Sequence, residues 1–528
     1  MKKIFYIFLF LLSLQNISAQ HLFQKTYGNL LDDWFEGIEV VDDTTIFAVG
    51  YTRENNPMNS TVFLVCLNDS GNIKWSKSIN IGEDDIGFQI SKLTNNTLLI
   101  TGETHDYISP SDYDIMLICL DLSGNILWKK NWGTINSELY GNSLESSGNI
   151  YSTGLAFLSS SMDTSGLKLT KTDMNGNILW DNRYLSGYSL VGYNMQEIDA
   201  NRLLISGAIN LASTSYDDVL LMEIDSSGNI IWAKSYGGTN GESYGYITKT
   251  NDNSIIIAVT TLSFDTSSAN GDILLIKTDS LGNEVWSKKY GDSGYEQVKG
   301  IARDTSGNYI IWGSSTSYYP SFQGTGLVFK IDDNGDLLWS RLYGGTNLEI
   351  LFDLKQLHEQ LLICGQIRSP LPPSNRDGYL IKTDWFGESG CNDTVVSISY
   401  SDVVINTYNV LMTDTMVSFI ENLSYSTPSL TIQSNVSCDS VVYISENGSQ
   451  QLLSIYPNPN NGRFFIETNS HERIKAIEIY NMLGQKVFFN ATYLSNVIEV
   501  NLKDKVTGLY LIKIINKNKN YFLKTIIL

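Results

Sequence analysis

The stretch that decides the fold reads Asp279-Ser280-Leu281-Gly282-Asn283-Glu284-Val285-Trp286. A short apolar run at 273–278 leads into it, and a second run at 287–291 leads out. Asp, Gly and Asn between two β-prone runs are typical of the tight turn that joins two paired strands. The stretch therefore predicts a β-hairpin.

The same turn recurs seven times along the chain, with a glycine every 52 to 54 residues. These glycines are Gly71, Gly124, Gly176, Gly228, Gly282, Gly335 and Gly387, and all but the last are followed by a tryptophan four residues on. Each period holds four strand-sized runs, which at this spacing are the sequence signature of a propeller blade. The sequence predicts an all-β fold, a seven-bladed β-propeller of four-stranded blades.

The two ends of the repeat region complement each other. The seventh period stops after its turn, without a fourth strand, while residues 23–28 contain an unattached copy of such a strand. We therefore predict that residues 20–390 form a propeller closed by its N-terminal strand, which leaves no open sheet edge. A glycine recurs in the first run of most periods, as expected for innermost strands that crowd an axis: Gly37, Gly141, Gly192, Gly245 and Gly300.

Residues 1–19 have the features of a secretory signal peptide, with two lysines, an apolar run and a small-residue cleavage site at Ala19. No other segment is predicted to span a membrane. The net charge is −20, and residues from Leu452 onward carry ten Lys/Arg against five Asp/Glu, or +5, which leaves −25 for the rest. Because so acidic a body repels nucleic acid, no nucleic-acid partner is expected.

The period is lost between residues 391 and 451, where Ser, Thr, Asn and Val dominate. This segment is either a linker or a small strand-rich insert. Alternating apolar runs return within residues 452–528, at 465–468, 476–480, 486–489, 497–502, 508–515 and 522–527. So many short strands predict a small antiparallel, Ig-like β-sandwich.

This last segment resembles the type A C-terminal sorting domain of type IX secretion cargo. The resemblance rests on Tyr456-Pro457-Asn458-Pro459 with Gly462 and Phe464, on Tyr480-Asn481 with Gly484, on Gly508 with Tyr510, and on a basic end at Lys524. It implies a Bacteroidota-type bacterium, export to the periplasm and then through the type IX machinery, and a secreted or surface-attached product. The blades are similar to uncharacterised propeller repeats of such cargo, and this similarity implies no particular activity.

The ionisable residues form no recognisable catalytic or metal-binding pattern, so we predict no cofactor, no metal site and no catalytic residue. The histidines, His21, His105, His358 and His471, lack metal-ligand spacing. Carboxylates follow many Tyr-Gly pairs, and their recurrence in most blades favours a role in holding turns: Asp33, Glu138, Glu242, Glu296 and Glu349.

The longest connections join the second and third strands of each blade. They contain six candidate ligand-contacting aromatic residues, Tyr107, Tyr113, Tyr216, Phe264, Tyr318 and Tyr319. The same loops are equally compatible with a surface that only tolerates variation. Two functions stay open at this point. One is a secreted or cell-surface binding and adhesion module for a glycan or a protein, and the other is a propeller enzyme acting on glycans as a hydrolase or lyase.

Cys391 and Cys438 are predicted to form a disulfide, because they flank a polar stretch and the exported chain enters an oxidising compartment. Cys66, Cys119 and Cys364 lie in apolar strand-like runs and should stay free. Closing the loop of 47 residues would contribute roughly 3–4 kcal/mol of stability in chain-entropy terms. Thiol titration of the denatured, unreduced protein should find three free thiols, whereas five would contradict the bridge.

Overall fold

The computed structural model describes residues 20–29, 31–53, 59–105, 113–133, 137–158, 164–187, 189–210, 216–264, 270–318, 324–345, 348–368, 375–416, 433–442, 453–456, 462–468, 474–481, 486–491, 497–502, 508–516 and 520–527. Every regular element in these ranges is a β-strand. The chain forms two compact units, one of residues Leu22–Ser440 and one that contains Val441–Leu528.

Within the described residues, seven antiparallel sheets follow one another along the first unit. The strand that precedes them is β1 (Gln20–Gly28). The first four sheets contain β2 (Asp33–Asp42), β3 (Thr45–Thr52), β4 (Thr61–Leu67), β5 (Ile73–Ile79); β6 (Asp84–Lys92), β7 (Leu98–His105), β8 (Tyr113–Leu120), β9 (Ile126–Trp132); β10 (Glu138–Ser146), β11 (Asn149–Phe157), β12 (Ser165–Asp173), β13 (Ile178–Leu185); and β14 (Ser189–Asp199), β15 (Arg202–Asn210), β16 (Asp218–Asp225), β17 (Ile230–Gly237). The last three contain β18 (Glu242–Lys249), β19 (Ile255–Thr261), β20 (Asp272–Thr278), β21 (Glu284–Tyr290); β22 (Glu296–Arg303), β23 (Tyr309–Ser315), β24 (Thr325–Ile331), β25 (Leu337–Tyr343); and β26 (Glu349–Leu357), β27 (Gln360–Arg368), β28 (Arg376–Asp384).

The first strand of each sheet lies innermost, beside the first strand of the neighbouring sheet. Gln89 of β6, for example, hydrogen-bonds the backbone of Ser143 in β10. The ring closes where the backbone N–H of Ile38 in β2 donates to Asp353 of β26 at 3.1 Å. The innermost strands therefore form a closed ring, the inside of which we call the channel, and the predicted all-β propeller architecture is confirmed.

Because consecutive strands run antiparallel, their connections alternate between two faces. The loop face carries the long connections between the second and third strands, together with the connections that lead into the next blade. The turn face carries the Asp-x-x-Gly hairpins between the third and fourth strands. Side chains near the start of each innermost strand therefore lie close to the loop face.

The hairpin turns are built around their first aspartate. Asp279 accepts hydrogen bonds from the backbone of Leu281 at 2.9 Å and of Asn283 at 2.8 Å, and from the Asn283 side chain at 2.8 Å. Gly282 has φ +73°, the left-handed region that glycine adopts without strain. The same bonds recur at Asp121, Asp173 and Asp225.

Each turn glycine is covered by the outer strand of the preceding blade. A Cβ added at Gly282 would lie 2.8 Å from the ring of Trp232, so only glycine fits beneath that indole. Tyr236 of the same strand donates from its hydroxyl to the Gly282 carbonyl at 2.7 Å. We call this pair of contacts the latch. The same tyrosine bond recurs from Tyr184 to Gly228, from Tyr290 to Gly335 and from Tyr343 to Gly387.

Strand β1 occupies the outer position of the seventh sheet. It pairs antiparallel with β28, with Phe23 opposite Lys382 and Tyr27 opposite Gly378. The Tyr27 hydroxyl donates to the carbonyl of Gly71 at 2.6 Å, and Phe23 covers Gly71 where the other blades use tryptophan. The latch thus also joins the seventh blade to the first.

The segment predicted to be a linker or a small insert continues around the outside of the propeller. The short strands β29 (Asp393–Val395), β30 (Tyr400–Asp402), β31 (Asn406–Asn409) and β32 (Thr413–Met416) pair with β25, β21, β17 and β13. They add a fifth strand to the sixth, fifth, fourth and third blades, in that order. We call residues 393–416 the belt. A further strand, β33 (Gln433–Val442), is the neighbour of β1 in the seventh sheet.

Between its strands the belt inserts aliphatic side chains into the cores that separate neighbouring blades. Ile398 is 2% exposed and belongs to the core between the fifth and sixth blades. Ile405 and Val410 occupy the next two such cores. At the start of the belt, Asp393 accepts from Arg341 at 2.6 Å. The belt therefore ties four blades together along their outer edges.

The second unit contains two small antiparallel sheets. Their strands are β34 (Leu453–Tyr456), β35 (Arg463–Thr468), β36 (Ile474–Asn481), β37 (Lys486–Ala491), β38 (Val497–Asn501), β39 (Gly508–Asn516) and β40 (Asn520–Ile527). One sheet has the order β34-β35-β38 and the other β37-β36-β39-β40. Side chains of both share one core, including Phe464, Val500, Ile479 and Ile512. This is the sandwich that the sequence predicted.

Replacing Tyr27 by Phe should destabilise the propeller, because it leaves the Gly71 carbonyl without its buried donor. We expect a loss of about 1–2 kcal/mol in the free energy of unfolding, measured by urea denaturation. Tyr408→Phe is the matched control, since Tyr408 is 53% exposed on the belt. Equal stability of the Tyr27→Phe variant and the parent would contradict a role for the latch in closing the ring.

Candidate ligand-binding channel

Every innermost strand contains a β-bulge at an equivalent position. In the first blade, Phe35 and Gly37 oppose Gly50 and Val49, which leaves Glu36 as an extra residue. The extra residues, in chain order, are Glu36, Phe88, Gly141, Tyr193, Tyr244 with Gly245, Lys299 and Phe352. Because these positions are equivalent in the seven innermost strands, the bulges lie at one level of the channel wall. A bulge also changes the direction in which its extra side chain points. We call the six of these residues that carry a side chain the collar: Glu36, Phe88, Tyr193, Tyr244, Lys299 and Phe352.

On one side of the channel, the collar residues contact one another across three blade boundaries. The rings of Tyr193 and Tyr244 have centroids 5.4 Å apart and are tilted by 49°. The Lys299 ammonium lies 4.8 Å from the centroid of Tyr244 and 5.4 Å from that of Phe352. Lys299 is thus held by two aromatic faces, and among the residues that the structure describes it has no ion-pair partner.

Burial changes the acidity of both charged collar residues. It raises the pKa of Glu36 to about 7, although Lys299 and a hydrogen bond from the Trp34 indole favour the carboxylate. Burial lowers the pKa of Lys299, and the nearby charge of Glu36 partly offsets this. The collar therefore contains one acid and one amine, and burial disfavours the charged form of both.

The collar is asymmetric. Gly141 contributes no side chain, and a Cβ at this position would lie 2.1 Å from the carbonyl oxygen of Gly192. Tyr244 has φ +60°, in the left-handed region that a bulky residue rarely adopts and that costs of order 1–3 kcal/mol. The bulge that carries Tyr244 is two residues wide, and the strain keeps its ring beside Lys299.

Nearer the turn face, the channel contains a second group of charges. Lys355 forms an ion pair with Asp353 at 3.2 Å, and Asp353 also receives the backbone bond from Ile38. Burial raises the pKa of the neighbouring Glu39 to about 7. Since these groups join the seventh blade to the first, their main role is to close the ring.

An open cleft of about 760 Å³ lies on the turn face and is lined by Gln196, Lys249 and Arg303, among others. Both cationic side chains of the cleft already have partners within the protein. Lys249 donates to the carbonyl of Ile198 at 2.9 Å, and Arg303 contacts the side chain of Asn251. The cleft therefore offers a ligand less unpaired charge than the collar does.

The recurring loop-face carboxylates hold turns, as the sequence predicted. Glu242 is 1% exposed and accepts from the backbone of Gly238 at 3.3 Å and from Thr261 at 2.8 Å. Asp33 likewise accepts from the backbone of Asn29 at 2.8 Å. Burial raises the pKa of Glu242 to about 7. Their repeated partners explain their recurrence in the blades.

The aromatic residues predicted to contact a ligand are spread around the loop face. Tyr216 is 49% exposed, and Tyr113 stacks on His105 with centroids 4.8 Å apart. Phe264 packs against a core between blades, and Tyr318 donates to Asp292. Tyr107 and Tyr319 lie outside the described residues. A ligand-contacting role for these six residues stays a prediction.

In the tail, strand pairing brings together sorting-motif residues that are far apart in sequence. Asn481 at the end of β36 lies opposite Tyr510 of β39, two residues after Gly508. Tyr480 lies beside Asn481, whereas Phe464 is buried in the shared core. Tyr456 ends β34, and Gly462 lies just before β35. Pro457, Asn458, Pro459 and Gly484 lie outside the described residues, as does the predicted signal peptide.

Cys391 is disulfide-bonded, and Cys66, Cys119 and Cys364 are free. The side chain of Cys438 lies outside the described part of the chain, so the predicted pairing stays a prediction. The described residues contain no cluster of three His, Cys, Asp or Glu side chains that could hold a metal ion. Nor do they include a helix long and apolar enough to cross a membrane.

Sequence reasoning missed the collar. Its signal was present, because the recurring first-strand glycines Gly37, Gly245 and Gly300 each follow a collar residue directly. The glycines themselves allow neighbouring blades to pack closely, since a Cβ at Gly37 would lie 2.9 Å from the carbonyl oxygen of Phe88. The changing residue beside each glycine is what marks the site.

Comparisons with solved structures give only weak similarities to this chain. Sqt1 from Chaetomium thermophilum is 9% identical, with a TM-score of 0.39 over 68% of this chain and 98% of that chain. The GH93 α-L-arabinofuranosidase of Fusarium graminearum is 11% identical, with a TM-score of 0.35 over 56% and 91%. No curated protein matches the chain significantly. The fold therefore rests on the strand pairings, and these similarities carry no argument about function.

The fold and the tail define an exported β-propeller protein. Residues 454–528 match the family of secretion system C-terminal sorting domains. The chain is therefore type IX secretion cargo, delivered to the cell surface or the extracellular space, and its tail interacts with the secretion machinery.

Deleting residues 452–528 should leave the protein in the periplasm, because it removes the segment that the secretion machinery recognises. Fusing the same segment to a periplasmic reporter should send the reporter across the outer membrane. Cell fractionation and surface proteolysis measure both outcomes, and a fusion carrying residues 393–451 is the control. Normal surface amounts of the deleted protein would contradict the assignment of these residues as the sorting signal.

Proposed function

We propose that the protein is a secreted or cell-surface binding module, and that its ligand enters the central channel from the loop face and contacts the collar. The observation that carries this proposal is the set of bulges, which place different side chains at equivalent positions of a repeated structure. Aromatic faces beside a single amine suit the recognition of a small or slender ligand.

The collar residues differ from blade to blade, although the packing of the blades does not require them to differ. The turn glycines and the covering aromatic residues recur at all seven blade boundaries, and the latch tyrosine recurs at five of them, because each blade binds the next in a similar way. The bulge residues instead comprise an acid, an amine, four aromatic residues and two glycines. A purely structural bulge would be served by the same residue in every blade, so this variation supports a binding role.

A glycan-acting enzyme is the second candidate. Glu36 favours it, because a carboxyl group with a pKa of about 7 can donate or accept a proton near neutral pH. Glycosidases generally use two carboxyl groups that flank the scissile bond. Glu36 is the only carboxylate among the collar residues, and therefore binding is the function that we favour.

The test is a glycan array probed with the full chain, followed by the variants Tyr244→Ala and Phe352→Ala. Both should reduce binding by about tenfold or more, since each removes an aromatic face. Tyr408→Ala, on the outside of the propeller, is the matched control and should bind as the parent does. Loss of binding only in the control, or equal binding by all variants, would contradict the channel as the site.

The glycans that bind should then be incubated with the protein and screened for cleavage. Unchanged glycan supports the binding module. Cleavage that is lost in Glu36→Gln while binding persists would instead establish the enzyme. Thermal denaturation of each variant distinguishes a lost contact from a lost fold.

A further inference from the structure

We propose that the ligand of the collar is an acidic saccharide, and that it presents one carboxylate to Lys299 while its sugar ring lies against the collar aromatics. This inference rests on the proposed function, because it assigns a ligand class to the same site. Neither the strand pattern nor the sorting tail points to any ligand class.

The first argument is that Lys299 has no hydrogen-bond acceptor or ion-pair partner among the described residues. Its ammonium lies beside the rings of Tyr244 and Phe352, which stabilise a cation through their aromatic faces. A carboxylate would in addition accept hydrogen bonds from the ammonium. Among the described residues, neither an ion pair nor a hydrogen bond engages this ammonium. An entering carboxylate would provide the missing acceptor and would offset the lost hydration of both groups.

The second argument concerns the position of the carboxylate of the ligand. Glu36 of the first blade interacts electrostatically with Lys299 of the sixth, as the effect of each group on the pKa of the other indicates. Attraction to Lys299 and repulsion from Glu36 both grow with the charge of the ligand, so a ligand carboxylate gains only where it lies closer to Lys299 than to Glu36.

The third argument favours a sugar over a protein surface. The rings of Tyr244 and Phe352 border the Lys299 ammonium, and they offer the flat apolar faces on which a sugar ring stacks. The hydroxyls of Tyr193 and Tyr244, whose ring centroids are 5.4 Å apart, can hydrogen-bond sugar hydroxyls beside the stacking faces.

The test uses the full chain and three probes in calorimetric titrations: trigalacturonate, the neutral galactotriose of the same length, and a tripeptide with a free C-terminal carboxylate. We expect trigalacturonate to bind at least about tenfold more tightly than the other two, as one charge-assisted contact predicts. Lys299→Met should abolish this preference. Lys74→Met, an exposed site on the first blade with the same change of charge, should keep it.

Glu36→Gln provides an independent check, because it removes the opposing carboxylate without changing the shape of the site. It should strengthen the binding of trigalacturonate more than that of galactotriose. If galactotriose binds as tightly as trigalacturonate and Lys299→Met changes neither, the acidic class is wrong, although the channel still binds glycans. Preferential binding of the tripeptide would also overturn the sugar assignment. If Tyr244→Ala changes no affinity on the glycan array, the proposed channel function fails as well.

Discussion

The contact between one blade and the turn glycine of the next is the constraint on which the propeller depends. A turn that reverses the chain in a few residues needs a left-handed position, and glycine fills it without strain. The absence of a side chain there allows an indole from the preceding blade to lie against the backbone. The tyrosine hydroxyl then satisfies a carbonyl that the same packing has shielded from water. Glycine thus both permits the tight turn and allows the neighbouring blade to pack against it.

The closing strand β1 and the belt provide contacts of the same kind at the outer edges of the sheets. The repeat stops one strand short in its seventh copy, and β1, from the other end of the chain, supplies both the missing pairing partner and the tyrosine that latches onto Gly71. The belt then covers the outer edges of four blades with short strands and places Ile398, Ile405 and Val410 in the cores between them. Outer edges that could pair with another chain are thereby used within the molecule.

The sequence predicts the architecture well because the architecture repeats. Seven turns of the same pattern, six of them Asp-x-x-Gly and the first Asn68-x-x-Gly71, identify the hairpins more surely than any single copy could. The belt was not predicted, since its strands are three to four residues long and acquire their structure from blade edges distant in sequence. The collar was not predicted for a related reason. A bulge is defined by the mismatch between two strands, and neither strand alone shows where the extra residue falls.

A repeat protein reveals its binding site by departing from its own symmetry. Most side chains that hold the blades together recur, because every blade boundary poses a similar packing problem. A ligand much smaller than the ring has no sevenfold symmetry, so the residues that contact it are free to differ. At the level of the bulges the blades differ in both chemistry and size, with an amine at Lys299, an acid at Glu36 and no side chain at Gly141. The left-handed backbone of Tyr244 is a further departure from the repeat at this level.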